Sequence, residues 1–309
     1  MRMVLCAVAL TAMGHSMKAQ QDPQFSQNMY NHMNVNPAFA GERGGWVVSG
    51  AYRNQWQRMP DAPETYVINV DVPLTLGGAE GGAGLNIMTD RLGMQTNLHL
   101  MMNYAYKRRY DFGVLSAGVK LGIVNSRIEG ELKPPTEEND PALSQGNLDL
   151  SKIMFDAGIG LFLSGDRYYT GLALSHLTCP EMTIGQTGRF FWNRHLYATG
   201  GYTFPLTPKV DVQPSFFVKS DFISLQASGN AHFVYDKKYW AGISYRYEEA
   251  LIFMGGIELK EGLLLGYSYD WNVSNVGQYT GGSHEVTFSY CFGLKLDKRE
   301  KIYKSVRFL

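Results

Sequence analysis

Along most of the chain, apolar and polar side chains alternate with a period of two residues. Residues 263–272, LLLGYSYDWN, place mainly leucine, tyrosine and tryptophan on one face and small or polar residues on the other. Residues 285–296, EVTFSYCFGLKL, and 97–107, NLHLMMNYAYK, repeat this pattern. Period-two alternation indicates a strand with one apolar and one polar face. Runs of about ten residues are long enough for a tilted strand to cross a bilayer.

About fourteen such runs follow one another, and they predict an all-β fold, a transmembrane antiparallel β-barrel. An even number of strands returns the chain to the side of the membrane from which it started, as in bacterial barrels. The predicted strands lie near residues 46–56, 64–73, 82–90, 95–108, 111–128, 152–164, 167–178, 193–205, 208–219, 223–235, 238–248, 250–260, 262–273 and 283–296.

The lengths of the connections give an independent indication of a barrel. Long connections follow odd-numbered strands: residues 54–63, 129–151, 178–192 and 272–282. Short connections follow the sixth, eighth, tenth and twelfth strands, and the exception among the even-numbered strands is PLTLGGAEGG after the second strand. Outer-membrane barrels have short periplasmic turns and long external loops, so we predict that the odd connections face outward. A soluble sandwich or jelly roll remains the alternative, although such folds have no reason to sort loops in this way.

Composition and the N-terminal leader narrow the choice of compartment. The net charge is 0, which gives no general argument for binding nucleic acid, and charged residues make up only 18% of the chain. Arg2, the apolar run 4–13 and Ala19 predict a secretory signal peptide over residues 1–19. Beyond it, no apolar run reaches the roughly 18 residues of a membrane-spanning helix. We therefore expect an exported protein of the outer membrane.

Candidate chemistry is sparse. None of the seven histidines has the spacing of a metal site; they are His15, His32, His99, His176, His195, His232 and His284. Several of them, such as His99 and His232, fall on the polar face of a strand, and we predict that these side chains face the barrel lumen. Cys179 and Cys291 permit one disulfide without implying it. No GxSxG nucleophile motif is present, and GGAGLN at 81–86 lacks the lysine and helix of a phosphate loop. We predict no catalytic, cofactor or metal site, although a barrel can assemble a catalytic set across its strands.

One stretch departs from the alternation. Residues 20–41, QQDPQFSQNMYNHMNVNPAFAG, are polar and show no strand or helix period, yet they contain several aromatic and methionine side chains. A plain linker has little need of such residues. We therefore predict an ordered plug or periplasmic docking segment over residues 20–45, followed by the barrel over 46–296 and a periplasmic tail over 297–309. A disordered linker is the alternative.

This stretch resembles the N-terminal motif of the PorP/SprF family of Bacteroidota outer-membrane proteins, in which a D-P-x-[FY]-S-Q block precedes an N-P-A-[FY]-[AT]-G block. The resemblance implies a non-enzymatic component of the type IX secretion system, with gliding motility or cargo anchoring in some relatives. It implies periplasmic ring components, a secreted cargo or adhesin, and outer-membrane lipid as partners, and no nucleic acid. The candidate plug or partner residues are Asp22, Pro23, Phe25, Ser26, Gln27, Tyr30, Asn36, Pro37, Ala38, Phe39 and Gly41.

Two further interpretations stay open. Fourteen-stranded transporters of hydrophobic solutes also carry an N-terminal hatch with an Asn-Pro-Ala element, as at residues 36–38, so a transporter or porin is the alternative function. The basic residues of the C-terminal tail are predicted to meet an acidic periplasmic partner or to be merely solvated; they are Lys298, Arg299, Lys301, Lys304 and Arg307.

Overall fold

A computed structural model describes residues 22–131, 147–184, 188–259 and 262–292 of the protein. Within these residues the predicted fold is confirmed: a closed antiparallel barrel of 14 strands, in which β10 and β11 form one barrel strand and β8 and β9 form a separate hairpin. The strands are β1 (Trp46–Asn54), β2 (Glu64–Leu76), β3 (Ala79–Leu92), β4 (Gln95–Tyr110), β5 (Gly113–Glu131), β6 (Asn147–Ser164), β7 (Tyr168–Ser175), β8 (Glu181–Ile184), β9 (Gly188–Phe191), β10 (His195–Tyr202), β11 (Phe204–Thr207), β12 (Val210–Ser220), β13 (Leu225–Tyr235), β14 (Tyr239–Arg246), β15 (Ala250–Glu258), β16 (Leu263–Asn272) and β17 (Ser283–Phe292).

The barrel closes where its first strand meets its last. β1 pairs with β17 along its whole length, from Trp46 opposite Phe292 to Asn54 opposite His284. Lipid offers no hydrogen-bond partner to backbone groups, so a membrane sheet must pair both of its edges. We call the β1–β17 junction the closing seam.

The predicted alternation matches the two faces of the wall. In β16, Leu265, Tyr267 and Trp271 are exposed on the outside. The alternate residues Ser268 and Asp270 point inward and are almost completely buried. The outer face is therefore apolar and suited to lipid, whereas the inner face is polar but shielded from solvent.

The two ends of the barrel differ in their connections. One end carries the long connections after β1, β5, β7 and β16, and we call it the long-loop end. The other end, the short-turn end, carries tight turns. The prediction of a long connection after β2 is wrong, because β2 and β3 pair as far as Leu76 and Ala79, around a two-residue turn. Gly77 and Gly78 have φ of 57° and 82°, a left-handed conformation that suits glycine in such hairpins.

The stretch before the barrel folds back into the lumen, and we call residues 22–41 the luminal segment. It contains a short 3-10 helix (Asn28–Tyr30), one turn of α-helix (His32–Val35) and a second 3-10 helix (Pro37–Phe39). Its first residues contact the long-loop end and its last residues contact the short-turn end, so it runs through the barrel. Among the described residues, no helix has the length and hydropathy needed to span a membrane.

Several expectations fall where the structure gives no description. The signal peptide over 1–19 and the basic tail residues, Lys298, Arg299, Lys301, Lys304 and Arg307, lie outside the described residues, as does the predicted end of the last strand at 293–296. Cys179 and Cys291, which are described, are free thiols.

The orientation of the barrel is testable from its two ends. We expect a protease site inserted after Asn275, in the connection between β16 and β17, to be cut on intact cells. The same insertion after Lys237, in the turn between β13 and β14, should be cut only after the outer membrane is opened. Immunoblotting of a C-terminal fragment measures both. Equal cleavage at the two positions on intact cells would contradict the orientation.

Candidate functional site

The luminal segment carries all of the candidate residues taken from the N-terminal motif. Ten of them are buried and Pro23 is half-buried; the ten are Asp22, Phe25, Ser26, Gln27, Tyr30, Asn36, Pro37, Ala38, Phe39 and Gly41. The segment contains no lysine, arginine or glutamate, and apart from its histidine Asp22 is its single charged side chain. The barrel wall therefore supplies most of the charge that the segment meets.

Ser26 and Gln27 dock on charged residues beside the closing seam. The backbone N–H groups of Ser26 and Gln27 donate to the carboxylate of Glu285 on β17 at 2.7 and 2.8 Å. The Ser26 hydroxyl donates to Asp270 on β16 at 2.6 Å and accepts from Arg53 on β1 at 2.7 Å. A single serine thus connects the first strand with the last two.

The charged groups around Ser26 also pair with one another. Arg53 forms ion pairs with Asp270 at 2.7 Å and Glu285 at 3.2 Å, and Arg246 on β14 pairs with Asp270 at 3.1 Å. We call Ser26, Arg53, Arg246, Asp270 and Glu285 the seam cluster. Removing one member of a buried ion pair leaves its partner uncompensated, which costs about 3–5 kcal/mol. The cluster therefore holds its geometry only while all of its members are present.

Asp22 docks on the opposite side of the lumen, also at the long-loop end. Its carboxylate is 2.9 Å from Nε2 of His176 and accepts a hydrogen bond from the hydroxyl of Tyr197, while Lys219 donates to its backbone oxygen at 2.9 Å. Burial alone would raise the pKa of Asp22, but the charges of His176, His195 and Lys219 and the hydrogen bond from His176 hold it well below its ordinary value. Asp22 is therefore an anion.

His176 follows β7 and lies between two carboxylates. Nδ1 of His176 is 2.7 Å from Asp156 on β6, and its other nitrogen faces Asp22. Burial opposes the charged imidazolium, but Asp22 and Asp156 outweigh it and raise the pKa of His176 to about 10. The imidazolium thus bridges the luminal segment and the wall.

The middle of the segment is held by asparagines. Asn69 on β2 donates to Asn31 at 2.7 Å, and Asn86 on β3 donates to both Asn69, at 2.6 Å, and Asn34, at 3.0 Å. Each amide offers both a donor and an acceptor, so neutral side chains can continue a hydrogen-bond chain across the lumen. The abundance of asparagine in this stretch has a structural reason.

The Asn-Pro-Ala-Phe block forms the apolar end of the segment. The side chain of Asn36 accepts from the N–H of Ala38 at 3.0 Å, which caps the second 3-10 helix, and donates to a carbonyl of β6 at 2.9 Å. Phe39 packs edge-on against Phe162, with ring centroids 5.3 Å apart, and also contacts His32. Burial and the nearby Arg43 lower the pKa of His32 to about 3, so this imidazole is neutral.

Wall glycines make room for the segment. A Cβ at Gly118 would lie 2.2 Å from the backbone nitrogen of Ala38, and one at Gly82 would lie 2.0 Å from the carbonyl oxygen of Ala40. A Cβ at Gly160 would lie 2.1 Å from the side chain of Asn36. These glycines form a track on the inner face along which the segment's backbone approaches the wall.

At the short-turn end the segment turns into the first strand. Gly41 has a φ of 66° and donates its N–H to Asp71 at 2.9 Å. Glu42 then pairs with Lys107 at 2.6 Å and accepts from the hydroxyl of Ser164 at 2.5 Å. The chain is therefore anchored at both ends of the lumen.

The filled lumen leaves little free space. Two cavities along the described chain have volumes of about 30 and 20 Å³, each of which is room for a few waters rather than a solute. What the arrangement offers chemically is binding: paired charges, amide hydrogen bonds and, at Asp22, His176 and His195, atoms able to hold a metal ion.

Several of these docking residues were not predicted from the sequence. Arg53, Asp156, Asp270 and Glu285 lie on the inward faces of strands, and their charge at polar-face positions was the available signal. His176 has no metal-like spacing because its partner Asp22 is 154 positions away. His99 and His232 were predicted to face the lumen, and both are buried on the inward face.

Comparison with known proteins gives a family. A sequence profile described as type IX secretion system membrane protein PorP/SprF matches residues 17–290. No curated protein matches the chain. Among solved structures, the toluene transporters TbuX of Ralstonia pickettii and TodX of P. putida are 12% and 11% identical, with TM-scores of 0.49 for both. The matches cover 84% and 85% of this chain and 93% and 94% of theirs.

A porin gives a weaker structural match. A mutant of the Rh. blastica porin is 11% identical, with a TM-score of 0.35, and the match covers 80% of this chain and 99% of the porin. Neither the transporters nor the porin bears on what this chain does.

The glycine track predicts a substitution that expels the segment. In Gly118→Val, the new side chain meets the backbone of Pro37 and Ala38, which cannot rotate away. We expect chymotrypsin to cut the luminal segment at least about tenfold faster, because local opening becomes easier, while the barrel keeps its heat-modifiable mobility in gels. Gly229→Val is the matched control, since nothing lies within 4 Å of that position. Equal protection in both variants would argue against close contact at Gly118.

The seam cluster predicts a second effect. In Glu285→Gln, Arg53 loses one carboxylate and the N–H groups of Ser26 and Gln27 keep only a neutral acceptor. A loss of about 3 kcal/mol should accelerate amide hydrogen exchange in residues 24–30 by roughly a hundredfold. The control Glu80→Gln breaks the exposed pair with Arg109, where an effect below about 1 kcal/mol is expected. Unchanged exchange in Glu285→Gln would show that the cluster does not hold the segment.

Proposed function

Because this chain belongs to the type IX secretion system membrane protein PorP/SprF family, we propose that it is a non-enzymatic outer-membrane component of that system. In this role the barrel is an anchored platform in the membrane. It presents its short-turn end to periplasmic ring components and its long-loop end to a secreted cargo or a surface adhesin. A contribution to gliding motility or to cargo retention belongs to the same proposal.

The observation that carries the proposal is the filled lumen. The luminal segment is anchored at the seam cluster, at Asp22 and at Gly41, and two cavities beside it have volumes of only about 30 and 20 Å³. A barrel closed in this way is suited to holding partners and poorly suited to passing solutes. The residues that anchor the segment, Asp22, Ser26 and Gly41, belong to the motif on which the family resemblance rests.

The exposed residues at the ends of the barrel are candidate docking surfaces for partners. At the short-turn end, Arg108 and Arg109 are exposed beside the turn that joins β4 and β5. Acidic surfaces of periplasmic components are the complementary partners. The outward-facing apolar residues contact lipid.

One observation favours the alternative, a solute transporter with a hatch. Pairing between β10 and β12 ends at Gly201 and Ser215 and resumes through β11 at Phe204 and Val212. Pro214, which has no N–H to donate, lies at this interruption. The cavity of about 20 Å³ lies beside it, against Tyr30 of the luminal segment. Displacement of the segment would enlarge this space next to a weak part of the wall.

The double variant Phe25→Ser, Phe39→Ser separates the two functions. Both rings are buried, and each loss should cost about 3–5 kcal/mol of docking energy, whereas the paired strands should keep the barrel folded. We expect type IX cargo export or retention to fail while the protein still reaches the outer membrane. Export of a reporter cargo and conductance in planar bilayers are the two measurements.

The control is Phe253→Ser, which removes an exposed aromatic ring from the outer face. Lost export with unchanged conductance supports the secretion role. Raised conductance with normal export would instead support a transporter hatch. If neither changes, the luminal segment has no part in the function.

A further inference from the structure

Three side chains with metal-ligating atoms meet at the long-loop end of the lumen. Asp22 comes from the luminal segment, His176 follows β7 and His195 begins β10. One ligand atom from each lies within 4.8 Å of the other two, and all three side chains are buried. Neither the proposed secretion role nor the docking of the segment requires two histidines beside one carboxylate, since a lysine or arginine would pair with Asp22 equally well.

We propose that Asp22, His176 and His195 form a binding site for a divalent transition-metal ion of the zinc type. Two imidazoles and one carboxylate are a common protein ligand set for zinc, with a water in the fourth position. Calcium and magnesium prefer sites made only of oxygen ligands. The ion would connect the first residue of the luminal segment to two neighbouring strands of the wall.

Two of the three ligands, His176 and Asp22, have the orienting partner that metal ligands usually require. Nδ1 of His176 lies 2.7 Å from Asp156, and Nδ1 of His195 lies 2.9 Å from the carbonyl oxygen of Asn193. Tyr197 donates its hydroxyl to Asp22. The contact with Asp156 fixes the rotation of the His176 ring and directs its Nε2 toward the ion. The nitrogen of His195 nearest Asp22 is Nδ1, at 4.0 Å, so His195 would exchange its contact with Asn193 for the ion.

Space and charge at the site are compatible with an ion. The cavity of about 30 Å³ adjoins Asp22, His99 and His176, which leaves room for the water ligand. Neither neighbouring ammonium group binds the Asp22 carboxylate directly: Lys219 donates to the backbone oxygen of Asp22, and Lys120 donates to Asn34 and Ser175.

Metal titration of the purified barrel tests the site. Full-length protein with its purification tag removed is stripped with a chelator, dialysed and titrated with Co²⁺, whose visible spectrum reports four-coordinate binding, and then with Zn²⁺ as competitor. We expect one equivalent of Co²⁺ to bind with a tetrahedral spectrum, Zn²⁺ to displace it and excess Ca²⁺ to leave it in place. Failure to bind, or the spectrum of the hydrated ion alone, would overturn the site.

Two variants and one control assign the ligands. His195→Gln makes the cleanest test, because His195 contacts Asp22 only at 4.0 Å and its loss spares the ion pairs of His176. Its affinity for Zn²⁺ should fall by at least about 100-fold, and that of Tyr197→Phe by about 10-fold, the range seen for lost orienting contacts. His284→Gln removes a histidine that is hydrogen-bonded to Tyr267 outside the lumen. This variant should bind Zn²⁺ with the affinity of the unchanged protein.

Folding must be checked in each variant by heat-modifiable mobility. Equal losses in His195→Gln and His284→Gln would show nonspecific histidine binding and refute the site. Retained tight binding in a folded His195→Gln barrel would refute it as well.

Discussion

Polar groups removed from water must find partners, and this constraint shapes the interior of the barrel. A wall of alternating strands that faces lipid outside necessarily directs its serine, asparagine, aspartate and arginine side chains inward. The luminal segment meets them with its own N–H groups, amides and one carboxylate. The contact between Ser26 and the pair Asp270 and Arg53 is the centre of this arrangement, because it joins the filling of the lumen to the closing seam.

The same constraint explains features of the wall that are far from the seam cluster. Glycines such as Gly118 and Gly160 lie where a backbone must approach another backbone, and the asparagine chain through Asn69 and Asn86 continues where no charge is available. Hydrogen bonds between neutral amides hold the middle of the luminal segment, whereas ion pairs hold its beginning at the long-loop end. The luminal segment and the inner face of the wall therefore supply each other's hydrogen-bond partners.

The sequence predicted what depends on neighbouring residues. Every one of the fourteen predicted runs overlaps a described barrel strand, because alternation is local, and the short turns were identified except at Gly77 and Gly78, where the strands continue further than their alternation suggests. The docking partners were not predictable. Ser26 and Glu285 are 259 positions apart, and their pairing depends on barrel closure and register, which leave no trace in residue spacing.

The junction between Gly41 and β1 has a consequence for how the lumen opens. Only residues 42–45 separate the luminal segment from the first strand. The segment therefore behaves like a ligand that is covalently tethered to its binding site on the inner wall. A short tether gives an effective concentration on the order of millimolar. A competing peptide in solution is at a large disadvantage against such a ligand. A competitor for the inner wall therefore displaces the segment only if its own affinity or concentration outweighs this effective concentration.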